Sequence, residues 1–63
     1  MEGYTQFEQA FGVGDVVNWD GRTYIVREVY EDENGYYYGI ERAANEPTYP
    51  SFAEVPQEDL AAL

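Results

Sequence analysis

The 63-residue chain contains no cysteine, no histidine and no lysine. Without cysteine, no disulfide and no thiolate metal site can form. Without histidine as well, an ordinary structural zinc site is excluded. Nucleophilic catalysis needs a nucleophile beside an activating base. Ser51 is the only serine, Thr5, Thr23 and Thr48 are the threonines, and no histidine, cysteine or lysine exists to activate them. Paired carboxylates can serve as acid and base, but only in a cleft, and a chain this short has little room for one. The reading is therefore non-enzymatic, with no cofactor. No apolar run approaches the ~20 residues of a membrane span. The first residues, MEGYTQFEQAF, lack the basic start and apolar stretch of a secretory signal. An intracellular protein, or one assembled inside a cell into a viral particle, is expected.

Positive charge is almost as scarce. Three arginines face thirteen acids, for a net charge of −10. Lys and Arg supply most of the affinity for nucleic acid by neutralising phosphates, and they hold proteins to anionic membranes. Neither partner is expected. The acidity has three readings: adaptation to a salty cytoplasm, where ions screen the repulsion; mimicry of nucleic acid, blocking a basic surface on another protein; and ordinary acidic character.

What the chain does hold is aromatic mass: seven Tyr, three Phe and one Trp. A single domain over residues 1–63 buries only about 60% of its unfolded surface, so large aromatic side chains must supply much of the core. A protein partner, a larger assembly or a homo-oligomer can add the remaining stability.

Tyr4, Phe7 and Phe11 recur at helical spacing, Thr5 and Glu8 form a capping box, and Gly12 and Gly14 end the run. A short N-terminal helical segment is expected there. From Val13 the signals are β. VGDVVNW leads to Asp20-Gly21 and RTYIVREVY to Glu31-Asp32-Glu33 and then Asn34-Gly35, with YYYGI after them. Asp-Gly and Asn-Gly are favoured type I′ hairpin pairs. Two-residue loops fix register. The first turn sets Trp19 opposite Arg22, Asn18 opposite Thr23 and Val17 opposite Tyr24. The second sets Glu33 opposite Tyr36, Asp32 opposite Tyr37, Glu31 opposite Tyr38, Val29 opposite Ile40 and Glu28 opposite Glu41. Tyr36 and Tyr38 then face inward with Val29 and Ile40, while Tyr30 and Tyr37 face outward. Val26 and Val29 both belong inside yet stand three residues apart, which breaks the period of two. A bulge near Arg27-Glu28 repairs the phase and bends the strand, as closing a small barrel requires. Residues 43–50, AANEPTYP, read as a loop. SFAEV reads as a fourth short strand ended by Pro56, and QEDLAAL as a helical turn and tail, with Leu60 folded back onto the core.

The order of parts is Phe11-x-Val13-Gly14-Asp15-x-Val17, then Gly21-x-x-Tyr24-x-Val26-x-x-Val29, an acidic turn, Tyr38-x-Ile40, and Phe52-x-x-Val55-Pro56-x-x-Asp59-Leu60. Over residues 11–60 it resembles small SH3-like β-barrels of the KOW and Tudor-like variety. It is also similar to short barrel proteins encoded by tailed viruses and prophages. The resemblance implies an all-β fold: a small barrel of four to five antiparallel strands, with the N-terminal helical segment and C-terminal helical turn at its ends. Its motif shapes turns and fills a barrel, and folds host many functions. The chain lacks the Ala-Leu-Tyr-Asp-Tyr-like run of peptide-reading SH3 domains and the basic character of ribosomal KOW domains. Trp19, Tyr24, Tyr38 and Phe52 would supply the aromatics of a methyl-lysine cage, but the register puts most of them in the core.

Glu31, Asp32, Glu33 and Asn34 do not match the alternating spacing of a calcium loop, and strand neighbours point to opposite faces. No metal site is expected. Arg22 opposite Trp19 suits a cation–π pair closing the first hairpin. Eleven aromatics exceed what so small a barrel can bury, and Tyr is favoured at protein interfaces. Tyr30 and Tyr37 on the outer face, Asp32 across from Tyr37, and Tyr49 between the loop prolines form the candidate protein interface. The function expected is a non-catalytic protein-interaction or structural accessory module, such as a small subunit of a viral particle. The alternative is an acidic nucleic-acid mimic that occupies a basic groove on an enzyme.

Overall fold

The computed structural model describes residues 8–43 and 50–63. Five strands form: β1 Val16–Trp19, β2 Arg22–Asp32, β3 Gly35–Arg42, β4 Phe52–Pro56 and β5 Ala61–Ala62, with a 3-10 turn at Gln57–Asp59 between the last two. They make one antiparallel sheet in the order β4-β3-β2-β1-β5. The described residues contain no α-helix.

The first hairpin has the expected register, Val17 opposite Tyr24, Asn18 opposite Thr23 and Trp19 opposite Arg22. Asp20 and Gly21 both have positive φ, 55° and 77°, as a type I′ turn requires. Asn18 Oδ1 accepts from Gly21 N–H at 3.1 Å. Arg22 Nη1 donates to the Asp20 carbonyl at 3.1 Å, and Trp19 meets Tyr24 edge to face with centroids 5.4 Å apart.

The second hairpin corrects the expectation. Asp32 stands opposite Gly35, Glu31 opposite Tyr36, Tyr30 opposite Tyr37 and Val29 opposite Tyr38. The register has slid by two residues. Gly35 alone carries the positive φ, 116°, and Asn34 does not. Asp32 Oδ1 accepts from Asn34 N–H at 2.8 Å, a local bond that holds the chain in an Asx turn. The loop is therefore Glu33-Asn34, closed by a positive-φ glycine, rather than an Asn-Gly type I′ pair. A slip of two keeps every side chain on its face, so the inward and outward sets survive.

The bulge falls where the phase demanded it. Val26 pairs with Ile40 and Glu28 with Gly39, leaving Arg27 as the extra residue. Glu28 is thus not opposite Glu41. Arg27 Nε instead donates to Glu41 Oε1 at 2.7 Å, an exposed pair at the bend.

Phe11, Val17, Tyr24, Val26, Tyr38, Ile40, Val55 and Leu60 are the buried core. Phe11 and Tyr38 pack edge to face at 5.6 Å. Tyr24 and Tyr38 are fully buried, so no aromatic cage can present their faces. Flat, the sheet would set β4 and β5 about 19 Å apart, four strand spacings. Only four residues join Pro56 to Ala61, three of them in the 3-10 turn, where the rise is about 2 Å per residue. The open sheet is therefore bent rather than flat, and the Arg27 bulge is one place where a strand bends. Leu60 packs in the core, as expected, and Ala61 and Ala62 pair with Asn18 and Val17, where a helical turn and tail were expected.

One core residue is polar. Gln57 is fully buried. Its Oε1 accepts from Ala10 N–H at 2.9 Å and from the Tyr38 hydroxyl, and its Nε2 donates to the Glu8 carbonyl at 2.7 Å. This explains why Glu8–Phe11 is not helical, contrary to expectation: its backbone groups are held by a side chain from the far end of the chain. The rest of the expected helical segment, Tyr4 to Phe7, lies outside the described residues.

Candidate functional site

The outer face of the sheet is built from residues that alternate with the core set. Two rows cross β2, β3 and β4: Tyr30–Tyr37–Pro56 and Glu28–Gly39–Glu54. In the first, the two tyrosine rings stack with centroids 5.0 Å apart and planes 22° from parallel. Such stacking of cross-strand aromatics stabilises the pair beyond area burial. The Tyr30 hydroxyl donates to the Glu28 carboxylate. That bond, with partial burial and the charges of Glu28 and Glu54, pushes the Tyr30 hydroxyl up to about 12, so Tyr30 is neutral and its ring is tethered.

The second row works because Gly39 has no side chain. A Cβ there would stand 2.9 Å from Phe52 Cζ and 3.2 Å from Glu28 Oε1. The absence of that atom leaves room for the Phe52 ring and the Glu28 side chain over Gly39. Phe52 is still 46% exposed, so the outer face carries Tyr30, Tyr37, Phe52 and Pro56 among carboxylates.

Beside the tyrosine stack lies a groove of about 310 Å³. Asp32, Asn34, Tyr36, Tyr37, Glu54 and Pro56 line it. Asp32 comes from the end of β2, Tyr36 and Tyr37 from β3, and Glu54 and Pro56 from the β4 edge. The ion pairs Arg22–Asp20 and Arg27–Glu41 involve no groove residue. The groove is thus lined by two tyrosine rings and two carboxylates.

Tyr30, Asp32 and Tyr37 thus share one side of the sheet, with Tyr30 and Asp32 flanking the turn on β2. Asp32 is not across from Tyr37, where it was expected; it lies two pairs further toward the turn and shares the groove with it. Tyr49 lies outside the described residues. Glu54, Pro56 and Phe52 were not expected at the candidate interface. Their place depends on how β4 pairs with β3, and a long loop leaves that register open. The signal was Val55: as the inward residue of SFAEV it must meet an inward residue of β3, and it meets Tyr38, which turns its neighbours Glu54 and Pro56 outward. Tyr36, read as inward, is half-buried against the core and also reaches the groove.

No protein-family model matches the chain, and neither a curated protein nor a solved structure was found to match it. No helix among the described residues is long and apolar enough to cross a membrane.

Proposed function

We propose that the chain is a non-catalytic protein-binding module, a small SH3-like barrel that docks on a larger assembly, such as a viral particle, through the outer face of β2, β3 and β4. The observation that carries this reading is the Tyr30–Tyr37 stack. These rings lie on the side of the sheet away from the core, and they continue into a groove and an exposed phenylalanine. Rigid aromatic area with a polar tip is the usual centre of a protein interface. The barrel reading draws support from the bulged β2, the short 3-10 link between β4 and β5, and the return of β5 to β1. Mimicry of nucleic acid needs carboxylates arrayed on one face. Glu28, Asp32 and Glu54 do share the outer face, but Asp20 sits in the first turn, Glu33 in the second, and Glu58 and Asp59 in the 3-10 turn, so the charge is not gathered on that face alone, which favours docking.

The test compares the whole chain with a Tyr30→Ser/Tyr37→Ser variant, both checked for fold by circular dichroism. Each is used for affinity capture at native salt from the source cell, and the captured complex is mapped by hydrogen exchange. A partner that protects residues 28–39 and is lost with the double variant is expected. A partner held equally by both chains, or protection confined to the opposite side of the sheet, would overturn the reading.

A further inference from the structure

The groove constrains the chemistry of what enters it. Its volume, about 310 Å³, is at the low end of ligand sites. It accommodates a long side chain or a short stretch of extended chain, and it excludes a folded surface. Its aromatic lining is preformed: Tyr37 is held flat against Tyr30, and Tyr30 is tethered by Glu28. Little conformational freedom remains to be lost there on binding.

Its charge is of one sign. Asp32 pairs with Gly35 and Glu54 with Gly39. They stand two strands apart and four residues apart along β3. Strand spacing and rise put their Cα atoms about 16 Å from one another. Two carboxylates so far apart cannot share one metal ion, and the described residues hold no cluster of three side chains that would. They suit an extended segment with cationic side chains near both ends. The chain's own charge of −10 strengthens the preference, because a cleft lined by one sign concentrates the opposite one.

Among cations, the tyrosine rings select. A guanidinium is planar, weakly hydrated and able to lie on an aromatic face while its fork pairs with a carboxylate. An ammonium is a compact and strongly hydrated point charge. We propose that the groove between the β2–β3 turn and the edge strand β4 receives arginine side chains from an extended basic segment of a partner protein, one guanidinium lying against Tyr37 and the carboxylates of Asp32 and Glu54 pairing with the segment's charge. This rests on the protein-binding reading above and names the partner's chemistry.

The probe is a capped peptide with arginine at alternate positions between serines, titrated into the isotope-labelled whole chain and followed by amide resonances. Matched peptides carry lysine or the neutral isostere citrulline. Shifts confined to residues 32–37 and 54–56 are expected. The arginine peptide should bind about tenfold more tightly than the lysine peptide and the citrulline peptide should not bind, given the stacking and the charge-assisted pairing. Asp32→Asn with Glu54→Gln, both at exposed positions, should abolish the shifts and leave the spectrum otherwise folded. Equal binding of the lysine peptide, binding of the citrulline peptide, or shifts spread over Asp20, Glu58 and Asp59 would overturn the proposal. If the tyrosine double variant loses its captured partner while the arginine peptide moves no groove resonance, docking stands and the arginine site falls. If no partner is captured and no resonance moves, both fall.

Discussion

The two hairpins of this sheet begin from the same cue and end differently. Asp20-Gly21 and Asn34-Gly35 each place a small polar residue before glycine between strands. At the first, both residues take positive φ and the register follows from a two-residue loop. At the second, the glycine alone does so, at 116°, and the loop moves one residue toward the N-terminus. The difference lies in the acid before the turn. Asp32 bonds to the amide of Asn34 and holds the asparagine out of the left-handed region that a type I′ turn needs. A dipeptide signature marks a turn, while its neighbours decide the turn's type and hence which cross-strand side chains meet.

The same substitution at both glycines should separate the turns most strongly. Gly35→Asn asks a side chain to adopt φ near 116°, outside the left-handed helical region, and should destabilise by about 1–3 kcal/mol. Gly21→Asn, at 77°, should cost less than about 1 kcal/mol, because asparagine tolerates that region. Urea unfolding of the two variants measures this, and equal losses would dissolve the contrast. Asp32→Ala removes the bond to Asn34. A loss of about 1 kcal/mol is expected, with a shift in the amide resonance of Asn34; an unchanged resonance would show that Asp32 does not set the turn.

Alkaline pH should act on the second hairpin through Tyr30. Its hydroxyl ionises at about 12 when folded, against roughly 10 for an ordinary tyrosine. A raised folded value means the contribution is complete below pH ~10 and is lost as pH rises through the folded value. Ultraviolet titration should show a late-ionising tyrosine that returns toward the ordinary range in Glu28→Gln. Tyr38, raised by its burial in the core, should remain late in both. The smallest effect belongs to the bulge. Arg27→Ala breaks an exposed pair with Glu41 and should cost less than about 1 kcal/mol, diminishing with added salt; a larger loss would mean that the pair holds the bend.

Much of the sheet was legible because its alternation is strict. Val17 with Tyr24 and Tyr38 with Ile40 read as inward, Tyr30 and Tyr37 as outward, and the clash of phase between Val26 and Val29 located the bulge within a residue. Each of these follows from the period of two and needs no knowledge of the partner strand. Register around Glu33-Asn34 was not legible, because it turned on one side chain–backbone bond. The pairing of β4 was not legible either, because loop length does not set it, and with it went the β4 side of the groove: Glu54 and Pro56. Gln57 escaped for another reason. Nothing in QEDLAAL distinguishes a solvated glutamine from a buried one, and its burial depends on three partners far away in the chain.

That glutamine bears on the order in which the molecule assembles. Its carboxamide binds Glu8 and Ala10 across sequence separations of 49 and 47, almost the whole chain. Contacts so distant in sequence form late, after nearer pairings have brought the ends together. Chain ends normally fray and exchange their amide hydrogens freely. The Ala10 amide should instead be released only when the core opens, and native-state hydrogen exchange should give it a protection matching that of β3. Rapid exchange at Ala10 beside slow exchange in β3 would show that the two ends separate before the sheet does.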